Sequence, residues 1–173
     1  LALHQQLLPK EFILDNYINM NERFNFMQFF ANSLFVTLVI TVLVVYTSTL
    51  CGFVLSKYKF KGRNLLFGFV LGTMMIPWCV TIIPKYTMIQ SFGWLDSYKA
   101  LIIPAMFSGF GIFNMKQHID TLPDEILEAA RIDGANEFYI FHKIIFPMAK
   151  NGISSIAIFQ FLWAWEDYLW PYL

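Results

Sequence analysis

At 173 residues the chain has about the length of one ordinary soluble domain. Yet 57% of it is hydrophobic, 18% aromatic and only 14% charged, with a mean hydropathy of +0.53. That is more apolar surface than one small water-soluble globule buries, so the bilayer is the expected solvent, and disorder and a collagen-like chain are excluded. Twelve Lys plus Arg balance twelve Asp plus Glu, which leaves no basic excess to mark a nucleic-acid-binding protein.

Residues 1–30 read as an external segment, with no basic-then-apolar signal ahead of the first polar stretch, so the chain is expected to begin inside a longer protein. The first span is the clearest. No charge occurs between Phe24 and Ser56, and residues 31–56 exceed the ~20 apolar residues that a hydrocarbon core of ~30 Å requires. Along it Ser33, Thr37 and Thr41, then Ser48, Gly52 and Ser56, recur at four-residue spacing, the pattern of a face packed closely on another helix in lipid.

A second span is expected over 64–84, interrupted by Met74-Met75-Ile76-Pro77 and Ile83-Pro84. Proline removes a backbone donor and kinks a helix, which a membrane tolerates only where protein or a wet cavity satisfies the freed carbonyls. Pro77 is therefore a candidate for a transport path, and the rings of Phe69, Trp78, Phe107 and Phe110 are candidates to line it. Packing against lipid or other helices is the more ordinary use of such rings in so aromatic a chain. Cys51 and Cys79 are expected as buried small apolar residues. They lie near opposite ends of their spans, ~14 Å apart along the membrane normal at ~1.5 Å per residue, too far for a disulfide.

The third and fourth spans, 98–116 and 149–170, have shorter uncharged runs. Tyr98 and Lys99 extend one by snorkelling, and Trp163, Trp165, Tyr168 and Trp170 extend the other as an aromatic belt. Lys57, Lys59, Lys61 and Arg63 crowd the link between the first two spans, which puts that link in the cytoplasm. Alternation puts 117–148 there too. It places Glu166 and Asp167 near the external interface, in contact with water. An exported amino end and an external carboxyl end imply that the first and last helices of the parent protein lie beyond this chain. His4, His118 and His142 share no metal-ligand spacing.

The cytoplasmic stretch is the most informative. Asp120 or Thr121 is expected to cap a helix, with Pro123, Asp124 and Glu125 in the first turn and Gly134 as its left-handed stop. Ile126, Leu127, Ala130 and Ile132 form an apolar flank that needs a partner. Asn136 then caps a second short helix, which Pro147 breaks. Two short helices joined at a glycine make a rigid protrusion able to transmit force.

Glu128-Ala129-Ala130, then Gly134, Ile144 and Pro147, resemble the EAA signature of permease subunits of binding-protein-dependent ABC importers. The fuller run Leu122-Pro123-Asp124-Glu125 to Ala135 is similar to the carbohydrate branch, which includes the second permease subunit of the maltose transporter. So are Asn32-Ser33-Leu34, Met74-Met75-Ile76-Pro77 and Phe161 to Pro171. The resemblance covers about 31–173 and implies an all-α polytopic type I importer core.

It further implies a prokaryotic inner-membrane, multi-pass subunit that is not itself an enzyme. It would work with a dimer of ATPase subunits, a second permease as heterodimer partner and an extracytoplasmic solute-binding protein. The EAA helix would be the coupling helix seated in an ATPase groove. There Glu128 pairs with a basic residue, Ala129 and Ala130 allow close approach, and Asp133 and Gly134 shape the turn. The sequence contains no GxxxxGK[ST] phosphate loop, so ATP and Mg²⁺ are expected on the partner and no cofactor or metal on this chain. Two positions depart from the family pattern: Glu166 stands where an Asn is common, and Lys116 where Arg is frequent.

Two other classes are weighed. An autonomous secondary transporter or channel driven by an ion gradient calls for intramembrane acids or bases, yet the interiors of the first three spans contain none and only Glu166 and Asp167 are candidates. An intramembrane enzyme calls for paired carboxylates or a Ser with His in the membrane, and neither is present.

Overall fold

The computed structural model describes Met20 and residues 25–173, so most of the expected external segment lies outside the described residues. The chain divides into two units, Leu1–Phe35 and Val36–Leu173. In the first, residues 26–35 are helical, and the rings of Phe26 and Phe30 approach to 6.1 Å.

Helix α1 is Phe26–Lys57, longer than the expected 31–56. It is the one helix among the described residues that is long and apolar enough to cross a membrane by itself. The second segment is broken at Pro77, one of the two prolines expected to interrupt it. Helix α2 (Arg63–Met75) and helix α3 (Trp78–Ser91) meet at 100°. Ile76 is extended ahead of Pro77, as a residue before proline must be when the ring excludes the helical well. Pro84, by contrast, lies inside α3 without ending it.

The expected third span is also interrupted. Helix α4 (Tyr98–Ile102) passes into a 3₁₀ turn, Ile103–Ala105, at Pro104, and helix α5 (Gly109–Asp120) restarts where the Ser108 hydroxyl accepts from the Gly111 N–H. By length and composition, the described residues contain one helix able to cross a membrane alone, or three spans if each bent pair counts as one.

Between the membrane segments lie helix α6 (Asp124–Ile132) and helix α7 (Glu137–Met148), the latter widened to a π-helix over Ile140–Ile145. Pro147 sits inside α7, and the break comes at Ala149, where helix α8 (Lys150–Trp165) departs at 76°. A short helix α9 (Leu169–Tyr172) ends the chain.

The core of the second unit joins Ile40, Val44 and Phe53 of α1 to Met115 and Ile119 of α5, Leu127 of α6, Ile140, Phe141 and Ile145 of α7, and Ile156 of α8. Of the small-residue face of α1, Thr37, Thr41, Ser48 and Gly52 are buried, joined by Thr49, whereas Ser33 is exposed. At Gly52 a Cβ would stand 2.8 Å from Met115 Cβ and 2.9 Å from the Lys116 backbone nitrogen, so only glycine fits where α1 crosses α5. Many large apolar side chains point outward, Leu65 and Phe69 of α2 and Ile83 of α3 among them. So does Cys79, contrary to the expectation of burial, whereas Cys51 is half-buried; neither is in a disulfide.

Candidate functional site

Helix α6, which carries Glu128-Ala129-Ala130, ends as the sequence predicts. Gly134 has φ +83°, the left-handed stop, and the Ala135 N–H donates to Ala130 O at 2.9 Å while Gly134 N–H donates to Arg131 O at 3.1 Å. This paired 6→1 and 5→2 arrangement satisfies the last carbonyls of the helix. Asp124 and Glu125 occupy the first turn, and Arg131 the last, each suited to the macrodipole.

The start differs from expectation. Asp120 lies at the end of α5, and the Thr121 hydroxyl donates back to His118 O, so Pro123 takes the N-cap position with no side-chain cap. Asp120 instead binds Lys116 at 2.6 Å and Ser56 at 2.6 Å. Asn136 does cap α7, accepting from the Tyr139 N–H at 2.8 Å.

Of the apolar flank of α6, Leu127 is buried and Ala130 half-buried, while Ile132 is 86% exposed. A groove of about 460 Å³ is lined by Ala130, Asp133, Gly134, Asn136, Tyr139 and Ile144. Glu128 and Ala129 are exposed on α6 outside that groove. The EAA residues thus share one short element but present two different surfaces.

Sequence reasoning missed what holds this element. Lys57, with a side chain only 6% exposed, donates to Leu122 O and to Asp124 Oδ1, both at 2.6 Å. Tyr58 donates to the Glu137 carboxylate, which also takes Arg131 in a fork at 2.8 and 3.3 Å. The Arg131 guanidinium stands 5.7 Å from the Tyr58 ring. The hydrogen bond from Lys57 holds Asp124 below the usual carboxylate range, and that from Arg131 does the same for Glu137. For Asp120 burial works toward protonation, but the bonds from Lys116 and Ser56 prevail and lower it. These contacts bring residues 56–58 and the 120–137 loop to the same end of the unit.

At the residues proposed for a solute path, the structure separates what the sequence grouped. Trp78 and Phe110 line a cavity of about 720 Å³ with Lys85, Trp163, Glu166 and Trp170, beside Asp167. Pro77 forms the α2–α3 break at its edge rather than its wall. Phe107 lines a different cavity, apolar and about 650 Å³, between α1, α2 and α5. Trp170 is not a simple belt residue: its indole N–H donates to Ala100 O at 3.1 Å, and Lys85 Nζ lies 3.7 Å over its ring. Glu166 and Asp167, both exposed, line this cavity. Among the described residues no cluster of His, Cys, Asp and Glu is arranged to hold a metal.

A long apolar helix, a span broken at Pro77 and a braced helical protrusion define a membrane protein of the permease type, all-α among the described residues. The chain belongs to the family described as the binding-protein-dependent transport system inner membrane component, whose pattern matches residues 48–173. It is 36% identical over 164 residues to the arabinooligosaccharides transport system permease protein AraQ of Halalkalibacterium halodurans, covering 94% of this chain and 59% of that protein. Against the sn-glycerol-3-phosphate transport system permease protein UgpE of Escherichia coli K12 it is 35% identical over 178 residues, covering 99% and 63%. A chain of a bacterial ABC transporter involved in the import of the acidic polysaccharide alginate superposes with a TM-score of 0.72 at 27% identity, over 81% of this chain and 49% of that one. The chain thus spans about three-fifths of the length of the relatives it matches.

Proposed function

We propose that the chain is the core of a multi-pass permease subunit of an ATP-driven, binding-protein-dependent importer for a carbohydrate or a related polar solute, in a prokaryotic inner membrane. Its partners in this reading are a dimer of ATPase subunits, which bind ATP and Mg²⁺, a second permease and an extracytoplasmic binding protein. Hydrolysis is performed by the ATPase, and this chain is not an enzyme.

The observation that carries the reading is the protrusion. α6 is short, closed by the Gly134 turn, anchored by buried Leu127, and leaves Glu128, Ala129 and Ile132 facing outward. A helix so fixed from behind presents a stiff surface on which a partner can push, with Glu128 available to a basic residue. The named relatives, permease proteins for arabinooligosaccharides and for glycerol phosphate, support a hydroxyl-rich solute. The cavity lined by Trp78, Phe110, Trp163 and Trp170 supports the same class, since flat rings stack on sugar faces and Lys85, Glu166 and Asp167 bond to hydroxyls.

The test is affinity purification of the complete parent chain from solubilised native membranes, unaltered and as Glu128→Lys. The unaltered chain is expected to bring down an ATPase and a second permease, and the variant to lose the ATPase alone. Recovery of the chain by itself, or of a homo-oligomer indifferent to residue 128, would overturn the reading in favour of an autonomous transporter.

A further inference from the structure

Ser56, Lys57 and Tyr58 are consecutive, and each reaches an acidic residue of the loop. Ser56 donates to Asp120 at 2.6 Å, Lys57 to Asp124 at 2.6 Å, and Tyr58 to Glu137. The first precedes α6, the second opens it, and the third follows its Gly134 turn and is tied by Arg131 to the last turn of α6. The end of α1 therefore grips the coupling helix at both ends. Arg63 strengthens the gripping end by donating to Leu55 O at 2.6 Å and Ser56 O at 3.2 Å, carbonyls that the end of a helix leaves unpaired.

The same faces are interlocked by rings. Phe141 of α7 packs on Tyr46 and Phe53 of α1, with centroids 5.8 Å apart in each case, and Phe53 meets Tyr58 edge-on at 5.4 Å. Leu127 of α6 is buried in the core that contains Val44 and Phe53. Hydrogen bonds to charged groups fix direction, and packed rings resist shear, so α6 has little freedom to move without α1.

We propose that Ser56, Lys57 and Tyr58 are positioning residues that latch the coupling helix α6 to α1, so that displacement of α6 by its partner passes directly into the Val36–Lys57 part of α1. This rests on the permease reading for the source of the displacement, while the latch itself stands on the contacts within this chain. The route is distinct from the covalent one through α5 and α7. It delivers motion to the longest of the described helices rather than to the helices adjoining the loop.

The test uses the complete parent chain, with Cys51→Ala and Cys79→Ser, and spin labels at Val42→Cys and Ile132→Cys, two exposed positions on α1 and at the end of α6. A second pair joins Met75→Cys, exposed at the end of α2, to Ile132→Cys. In the resting protein the 42–132 distribution is expected to be narrow. It should become about twofold broader in Lys57→Glu, in Asp124→Lys and in the near-isosteric Tyr58→Phe, the signature of local opening. The double exchange Lys57→Glu with Asp124→Lys should narrow it again, an outcome that a merely misfolded loop does not give.

When the co-purified ATPase is trapped with ATP and vanadate, the 42–132 distance should hold while the 75–132 distance shifts. Single variants as narrow as the unaltered chain would overturn the latch. So would a 42–132 distance that changes on trapping by about one helical turn, ~5 Å, in the unaltered protein. If no ATPase co-purifies, the permease reading fails, and the resting-state comparison still decides whether the latch exists.

Discussion

The two ends of the second unit are built differently. At the loop end Leu127, Ile140, Phe141 and Ile145 are each at most 3% exposed, and ionic or hydrogen-bonded contacts tie α1 to α5, α6 and α7. Around the break at Pro77, α2 has no buried residue and α3 has one, Ile89, while a cavity of about 720 Å³ opens between them, α5 and the end of α8. The loop end stabilises itself by burial within this chain. The α2–α3 elbow keeps its apolar side chains outward and leaves its energetics to whatever surrounds it, lipid or another subunit.

The comparison breaks first at the α1–α5 crossing. Gly52→Leu places a branched side chain against Met115 Cβ and the Lys116 backbone, with no flexible atom to yield. It should cost more than the ~1–3 kcal/mol typical of overpacking, read as loss of folded protein in a detergent thermal-unfolding assay. Next, Ile140→Ala removes a fully buried side chain from the loop end and is expected to cost roughly 2–5 kcal/mol. Leu65→Ala on α2, where the side chain is 66% exposed, should fall within about 0.5 kcal/mol in the same assay. Equal effects from these two would erase the distinction between the ends.

Gly134→Val should act on coupling more than on insertion. A β-branched residue at φ +83° incurs at least the ~1–2 kcal/mol of a left-handed L-residue, which shifts the turn rather than unfolding the core. The membrane-inserted amount is expected to stay near normal while ATPase recovery falls, and unchanged recovery would remove the turn from the docking surface.

The smallest effect is that of acid. Asp124 and Glu137 have folded pKa values below their unfolded ones, so their contribution is present above the unfolded carboxylate range and is lost as pH falls through the depressed folded values. A spin label at Ile132→Cys should therefore gain mobility only below about pH 4, where unperturbed carboxylates protonate. Labels on α2 should not respond over the same range.

What could be read in the chain was local. The first span follows from apolar length, and the elbow from the extended backbone that Pro77 imposes on Ile76. The stop at Gly134 and the cap at Asn136 follow from side chains acting within a few residues. Local signals also misled where a neighbour competed. Asp120 has the chemistry of an N-cap but is held by Lys116 and Ser56.

The sequence alone therefore determined that this is a membrane protein, all-α among its described residues, with a short helix stopped at Gly134, because hydrophobic length, proline geometry and the glycine turn act over one or two turns. Only the tertiary structure decided that Ser56, Lys57 and Tyr58 meet Asp120, Asp124 and Glu137, partners separated by 64, 67 and 79 residues. It alone likewise placed Trp78 and Phe110 in one cavity and Phe107 in another. Contacts at such separations are fixed by how α1, α5, α6 and α7 bury one another; the small-residue face of α1 marks it as closely packed, but nothing along the chain names the partner.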